Sequence, residues 1–243
     1  MPMRSHRLAG VWLSAAMALA PAMAQAQAYQ CRLPARVSVP PVQQDGPARR
    51  VPITGYTAAL SWSPEFCKGR ERQARHAVQC SGRNGRFGLV MHGLWPDGRS
   101  GARGTWPQWC QTPRRLSSAE ARRNMCMMPG ARLVARQWTK HGACMTRRPE
   151  TYFRITRIFW SALAKPDLDA LSRQEGLRAG DIRQAFAAAN NGLEPEHVGI
   201  VLNRRGWFRE ARICLDRRFR PAPCDRRRFG APDNAAAKIW RGL

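Results

Sequence analysis

Lysine is scarce in this chain of 243 residues: only Lys68, Lys140, Lys165 and Lys238 occur. The excess of 41 Lys+Arg over 16 Asp+Glu, a net charge of +25, is therefore an arginine excess. Carboxylates are thin, and nowhere do they gather into a cluster that would hold magnesium. No C-x-x-C pair is present, which removes the usual zinc-ribbon and redox spacings. Outside residues 8–20, no uninterrupted apolar stretch approaches the ~20 residues that a membrane span requires. No internal repeat and no Pro/Ser linker divides the chain.

What remains is the mixture of a folded protein, with 44% apolar and 23% charged residues. The length suits one full-sized core, although length alone would also admit two domains. A charge of +25 speaks to partners and solubility rather than to fold. It favours polyanions such as nucleic acid, an acidic membrane surface or acidic glycans. The same excess is also what a GC-rich genome writes wherever a cation will do.

The N-terminus reads as an address. Arg4, His6 and Arg7 precede the apolar run Leu8–Ala20, followed by Pro21 and small residues. Ala22-Met23-Ala24, Ala24-Gln25-Ala26 and Ala26-Gln27-Ala28 all fit an A-x-A cleavage site. This layout predicts a secretory signal peptide over 1–24, with cleavage possible up to 28, ahead of one domain over 29–243. Export places the eight cysteines in an oxidising compartment, where an even number implies disulfides. Eight cysteines pair in roughly a hundred ways, so counting does not choose among them.

Residues 31–54 form an irregular, proline-rich arm. Tyr56–Trp62 has the length and aromatic content of a strand ended by Ser63-Pro64, and Phe87–His92 reads as a buried strand with His92 at its end. Residues 68–86 and 96–113 read as loops. Ser117-Ser118-Ala119-Glu120 opens a short helix stopped by Pro129-Gly130, and Leu133–His141 is a second candidate. Pro149-Glu150 starts a stronger helix with Tyr152, Ile155, Phe159 and Leu163 on one face, ended by Pro166. Asp181 with Gln184 suggests a capping box for a helix to about Ala189. Val198–Leu202 and Trp207–Leu215 read as strands around the turn Asn203–Gly206. Strands and helices do not alternate as βα units, which predicts an α+β fold: a single domain, a central antiparallel sheet, several helices and disulfide staples.

Of the five histidines, His6 leaves with the signal peptide, His76 sits in a basic loop and His197 follows Pro195-Glu196. The other two stand in distinctive company: His92-Gly93-Leu94-Trp95-Pro96-Asp97-Gly98 and Gln137-Trp138-Thr139-Lys140-His141-Gly142-Ala143-Cys144. Each alone is compatible with a structural histidine. Together, MHGLWPDG and WTKHGAC resemble the two active-site segments of the ribonuclease T2 family. ALSWSPEFC resembles that family's first strand with its following cysteine, and GWFREARICLD its C-terminal strand.

The resemblance implies an exported or periplasmic endoribonuclease acting on single-stranded RNA, with no cofactor, no metal, no DNA substrate, and a monomeric state. The residue types suit that chemistry. Internal attack by a 2′-hydroxyl needs a base for that hydroxyl and an acid for the 5′-oxygen, and imidazoles serve both near neutrality. A fixed cation stabilises the charge gathering on the phosphate oxygens. The resemblance implies a 2′,3′-cyclic phosphate product, slowly opened to a 3′-phosphate. It assigns His92 and His141 as the acid/base pair, with His141 the base and His92 the acid, an order that the residues alone leave open. Lys140 becomes the cation. Trp95 would stack on or wall in a base, with core packing as the alternative. Asp97 would accept a hydrogen bond from a base edge.

One position departs from the pattern. The family carries Glu three residues before the lysine of the second box, where this chain has Gln137, preceded by Arg136. An amide donates and accepts hydrogen bonds but carries no charge. Arg136 adds a group suited to phosphate. A slower ribonuclease, one with a shifted pH optimum, and a non-catalytic cationic binder of RNA or other polyanions all stay open. The resemblance also pairs Cys110–Cys144, makes Cys67–Cys80 and Cys214–Cys224 local bridges, and leaves Cys31–Cys126.

Overall fold

The computed structural model describes residues 31–98, 106–110 and 113–242. The expected signal peptide over 1–24 lies outside them. Four strands, β1 (Gly55–Trp62), β2 (Leu89–Asp97), β3 (Val198–Leu202) and β4 (Phe208–Leu215), form one antiparallel sheet in the order β2-β1-β4-β3. Helices α1 (Ser118–Asn124), α2 (Ala131–Gln137), α3 (Pro149–Ala162) and α4 (Ala179–Ala188) supply most of the helical cover. The α+β expectation of a single domain around an antiparallel sheet holds. Bridges close Cys31–Cys126, Cys67–Cys80, Cys110–Cys144 and Cys214–Cys224.

Strand alternation divides the sheet into an apolar and a polar side. Ala58, Leu60 and Trp62 of β1 and Ala211, Ile213 and Leu215 of β4 enter the core beneath the helices. Thr57, Ala59 and Ser61 of β1 alternate with them, as do Glu210 and Arg212 of β4. That polar side faces the candidate site.

Several elements differ from the sequence-based expectation. The strand expected to end at His92 runs on to Asp97, because Gly55–Ala59 of β1 offers partners to Gly93–Asp97. Pro96 is tolerated there because β2 is an edge strand. The candidate helix Leu133–His141 is instead α2 followed by a π-helical turn over Trp138–Gly142. In α3 the buried residues are Pro149, Tyr152, Phe153 and Thr156, and Leu163 just beyond it is buried as expected, while Ile155 and Phe159 are only half-buried. The helix ends at Ala162, ahead of Pro166. In α4, Asp181 sits inside the first turn and accepts the Arg178 N–H at 2.7 Å rather than opening the helix. The loop after Cys67 contains two short helical turns, Ala74–His76 and Ala77–Cys80. The short helix Leu168–Leu171, capped by Asp167, was not anticipated.

The edge of β2 is closed by α3. Tyr152 is fully buried, and its hydroxyl both donates to Leu94 O (3.0 Å) and accepts from Leu94 N (3.3 Å). A single phenol thus satisfies both backbone groups of Leu94 on the strand's outer edge, as Met127 O satisfies the Met91 N–H. Leu94 stands in the middle of the first histidine box, so this contact sets where that box lies.

Candidate active site

The first box is shaped by a β-bulge. Ala59 pairs with Gly93 and Leu60 with Met91, so His92 is the extra residue. An inserted residue reverses the inward–outward phase of the strand. Met91 and Leu94, three apart, can therefore both enter the core, while His92, Trp95 and Asp97 line the cleft. Gly93 is required by close approach. A Cβ there would stand 2.1 Å from Gln137 Oε1 and 2.3 Å from Trp95 Nε1, a donor and acceptor that bond over it at 2.8 Å.

The second box is carried by the π-helical turn. A wide turn inside a helix shifts side chains off the usual 3.6 period and is often found at functional sites. Here it directs Lys140 and His141 to the cleft while Trp138 stays in the core, its Nε1 donating to Arg114 O at 2.7 Å. Gly142 is again forced by space, since a Cβ would lie 2.7 Å from both the Trp138 and Tyr152 rings. The Cys110–Cys144 bridge and a Trp109 N to Lys140 O hydrogen bond of 2.9 Å fasten this turn to the preceding segment.

Both histidines line one cleft of about 520 Å³, together with Trp95, Asp97, Arg136, Gln137 and Lys140. All seven residues singled out in the two boxes are thus brought together. Trp95 is half-buried between the histidines, its ring centroid 5.1 Å from His92 and 5.6 Å from His141. It is a wall of the cleft rather than a core residue. Asp97 is buried, and its Oδ2 accepts from Thr57 Oγ1 (2.6 Å) and Arg228 Nη1 (2.7 Å). That oxygen is committed to the wall, because a buried carboxylate needs such partners. Burial nevertheless holds the Asp97 carboxyl above its ordinary range, against the pull of Arg228 and Thr57.

Three further groups carry no signal in the two boxes. Asp45, from the irregular arm, accepts from Lys140 Nζ at 2.9 and 3.0 Å, from Trp109 Nε1 at 3.2 Å and from Arg136. Slight burial raises the Asp45 carboxyl, but the hydrogen bonds and charges of Lys140 and Arg136 bring it down to about 2. Nothing in the arm's sequence marks this residue. Glu210 of β4 accepts from His92 Nδ1 at 2.7 Å and from Arg212 Nε at 2.9 Å. The spacing of Glu210 and Arg212 on one face of a strand whose other face carries Ala211, Ile213 and Leu215 was a legible signal. Arg212, Arg227 and Arg228 complete a cationic wall, with the Arg227 guanidinium 4.6 Å from the Trp106 ring centroid.

The two histidines meet different surroundings. His141 is buried, and its Nδ1 has no hydrogen-bond partner among the described residues. Burial first, then the nearby charges of Lys140, His92 and Arg136, lower it from 6.5 to about 3, opposed only by Asp45. His92 is 39% exposed and faces the Glu210 carboxylate. No group of three or more His, Cys, Asp or Glu suited to a metal ion occurs among the described residues, and no helix there is long and apolar enough to cross a membrane.

Comparison with known proteins places this arrangement. A "Probable ribonuclease" of Haemophilus influenzae is 33% identical over 138 residues, covering 54% of this chain and half the length of that relative. A "Ribonuclease" of Aeromonas hydrophila is 31% identical over 169 residues, covering 67% of this chain and 71% of that one. Among solved structures, trichomaglin, described as a novel S-like ribonuclease, superposes with a TM-score of 0.57. It is 18% identical, and the match spans 77% of this chain and 98% of trichomaglin, which shows likeness of fold. The model of the ribonuclease T2 family matches residues 54–182, which include both histidine boxes and more than half of the sequence, and the chain belongs to that family.

Proposed function

We propose that the protein is an exported endoribonuclease that cleaves single-stranded RNA by attack of a 2′-hydroxyl on the adjacent phosphorus. The observation that carries this reading is the placement of His92 and His141 on one cleft, either side of Trp95, with Lys140 beside them. His141 is the base. A ring held neutral by burial is ready to take the 2′-hydroxyl proton without first losing one. As the new P–O2′ bond forms and the P–O5′ bond breaks, His92 gives its proton to the departing O5′. The products are a 2′,3′-cyclic phosphate and a 5′-hydroxyl. Water then opens the cyclic ester to a 3′-phosphate, with the two histidines exchanging roles.

Lys140, with Arg136 behind it, supplies positive charge to the phosphate oxygens as the transition state forms. Trp95 offers a face on which a base can stack. Nucleophile and electrophile lie on one substrate, so the reaction needs no metal, and DNA lacks the attacking group. The four disulfides suit an oxidising compartment. With the signal-like segment over 1–24, they support export to the periplasm or beyond.

The test is incubation with an RNA oligomer and its DNA counterpart in EDTA, followed by identification of the termini. Cyclic phosphate ends on RNA alone are expected. Activity abolished by EDTA, equal cleavage of DNA, or RNA binding without turnover would each overturn the reading.

A further inference from the structure

The carboxylate that serves a histidine in this cleft lies in neither box. Glu210 projects from β4 on the polar side of the sheet and reaches His92 of β2 across β1, which lies between them. The crossing is possible because β1 presents only small side chains there: Ala59 pairs with Arg212 and Ser61 with Glu210. Both carboxylate oxygens are engaged. Oε2 meets His92 Nδ1 at 2.7 Å and the Ser61 hydroxyl at 3.4 Å, and Oε1 accepts from Arg212 Nε at 2.9 Å. Glu210 is 10% exposed, and a carboxylate so placed is kept ionised only by cationic partners. The other groups facing His92 are the edge of Trp95 on its own strand and His141 across the cleft.

We propose that Glu210 is a positioning residue for proton delivery by His92: it holds the Nδ1–H, which turns Nε2 to the cleft as the nitrogen that protonates the leaving O5′. The assignment rests on the ribonuclease reading above. The donating ring is the imidazolium, which carries a proton on each nitrogen, and on an exposed bulge it could otherwise flip about its ring axis and turn the Nε2–H away from the reacting side. The carboxylate fixes that orientation before substrate arrives.

The test compares two substrates of the full-length protein. One is a dinucleoside monophosphate, whose 5′-alkoxide must be protonated to leave. The other is the 4-nitrophenyl ester of uridine 3′-phosphate, whose phenolate leaves unaided. Glu210→Gln should lower kcat about 10–100-fold on the first with KM nearly unchanged, and less than about 3-fold on the second. On a His92→Ala background the same change should add less than about 2-fold. Equal losses on both substrates, or a loss that multiplies with that of His92→Ala, would show a merely structural role and overturn the proposal. In the parent, an NMR spectrum should show the His92 Nδ1 protonated and hydrogen-bonded. A ring protonated only at Nε2 would overturn it whatever the variants do. A folded parent that cleaves neither substrate overturns the ribonuclease reading and this assignment with it, whereas a parent active on both with Glu210→Gln fully active overturns the assignment alone.

Discussion

Two histidines only a tryptophan apart meet opposite surroundings, and the roles proposed for them follow from that difference. His141 is buried beside Lys140 and Arg136, which makes a charge there costly and lowers it from 6.5 to about 3. A base must be unprotonated, so nearly all His141 stays competent until the pH falls close to that value. The expected outcome is a kcat/KM profile, which reports the free enzyme, whose acidic limb lies well below 6.5. Gln137→Glu tests the cause. Gln137 is buried and accepts from Trp95 Nε1 at 2.8 Å, and a glutamate could keep that bond while adding negative charge near His141. A nearby carboxylate favours imidazolium, so the acidic limb should move up by roughly 1–2 pH units. Adding Arg136→His removes a competing cation and should enlarge the shift. Limbs that stay in place in both variants would show that position 137 does not act on His141. Replacing either His92 or His141 by Ala should cost about 10²–10⁴-fold in kcat with the fold intact, and an enzyme that kept half its rate without His141 would refute the assignment of that residue.

At the scale of elements, the site is made by two irregularities in regular structure, a bulge in β2 and a π-helical turn after α2. Both are hard to read from periodicity, which explains where the sequence was informative and where it was not. Strands β1, β3 and β4 were legible within a residue or two because their apolar runs are bounded by turn residues. The bulge was not, because it shows as Met91 and Leu94 both being buried, a spacing that fits no single strand phase. The π turn hides in a sequence that continues a helical pattern through His141. The histidines and Lys140 stood out through their neighbours. Asp45 did not, because its contact with Lys140 spans 95 positions and comes from an arm without period. Tyr152 ties this level to stability. Tyr152→Phe should leave the Leu94 N–H and C=O without their partner, at a cost of about 1–3 kcal/mol per unsatisfied group. Urea unfolding should show that loss, and amide exchange at Leu94 should quicken. An unchanged Leu94 protection factor would mean that the edge of β2 is held by something other than the phenol.

For the molecule as a whole, the arrangement that prepares catalysis should also set how the fold responds to acid. His141 is lowered to about 3 in the folded chain but titrates near 6.5 when unfolded. Between those values the unfolded state binds a proton that the folded ring refuses, so stability falls as pH drops through this window. One proton of difference corresponds to about 1.4 kcal/mol per pH unit. Glu210 behaves differently. Burial raises its carboxyl, but the hydrogen bond and charge of His92, with Arg212, bring it to about 2. Its contribution is complete above the ordinary carboxylate range near 4.3 and is lost only as pH falls from there towards 2. Asp45, also near 2, follows the same sense in a similar range, though its greater exposure makes its share smaller. The windows are therefore separable. Melting curves from pH 7 to 3 should show the parent losing stability already between 6.5 and 4.5, where Glu210 and Asp45 are still ionised. His141→Gln should flatten that part of the curve and leave the steeper fall below 4.5, whereas Glu210→Gln should lower the plateau at neutral pH and soften only the fall below 4.5. Parallel curves for the parent and His141→Gln between 6.5 and 4.5 would mean that the ring at 141 is free to charge in the folded protein. His141 would then no longer be held neutral for its role as the base.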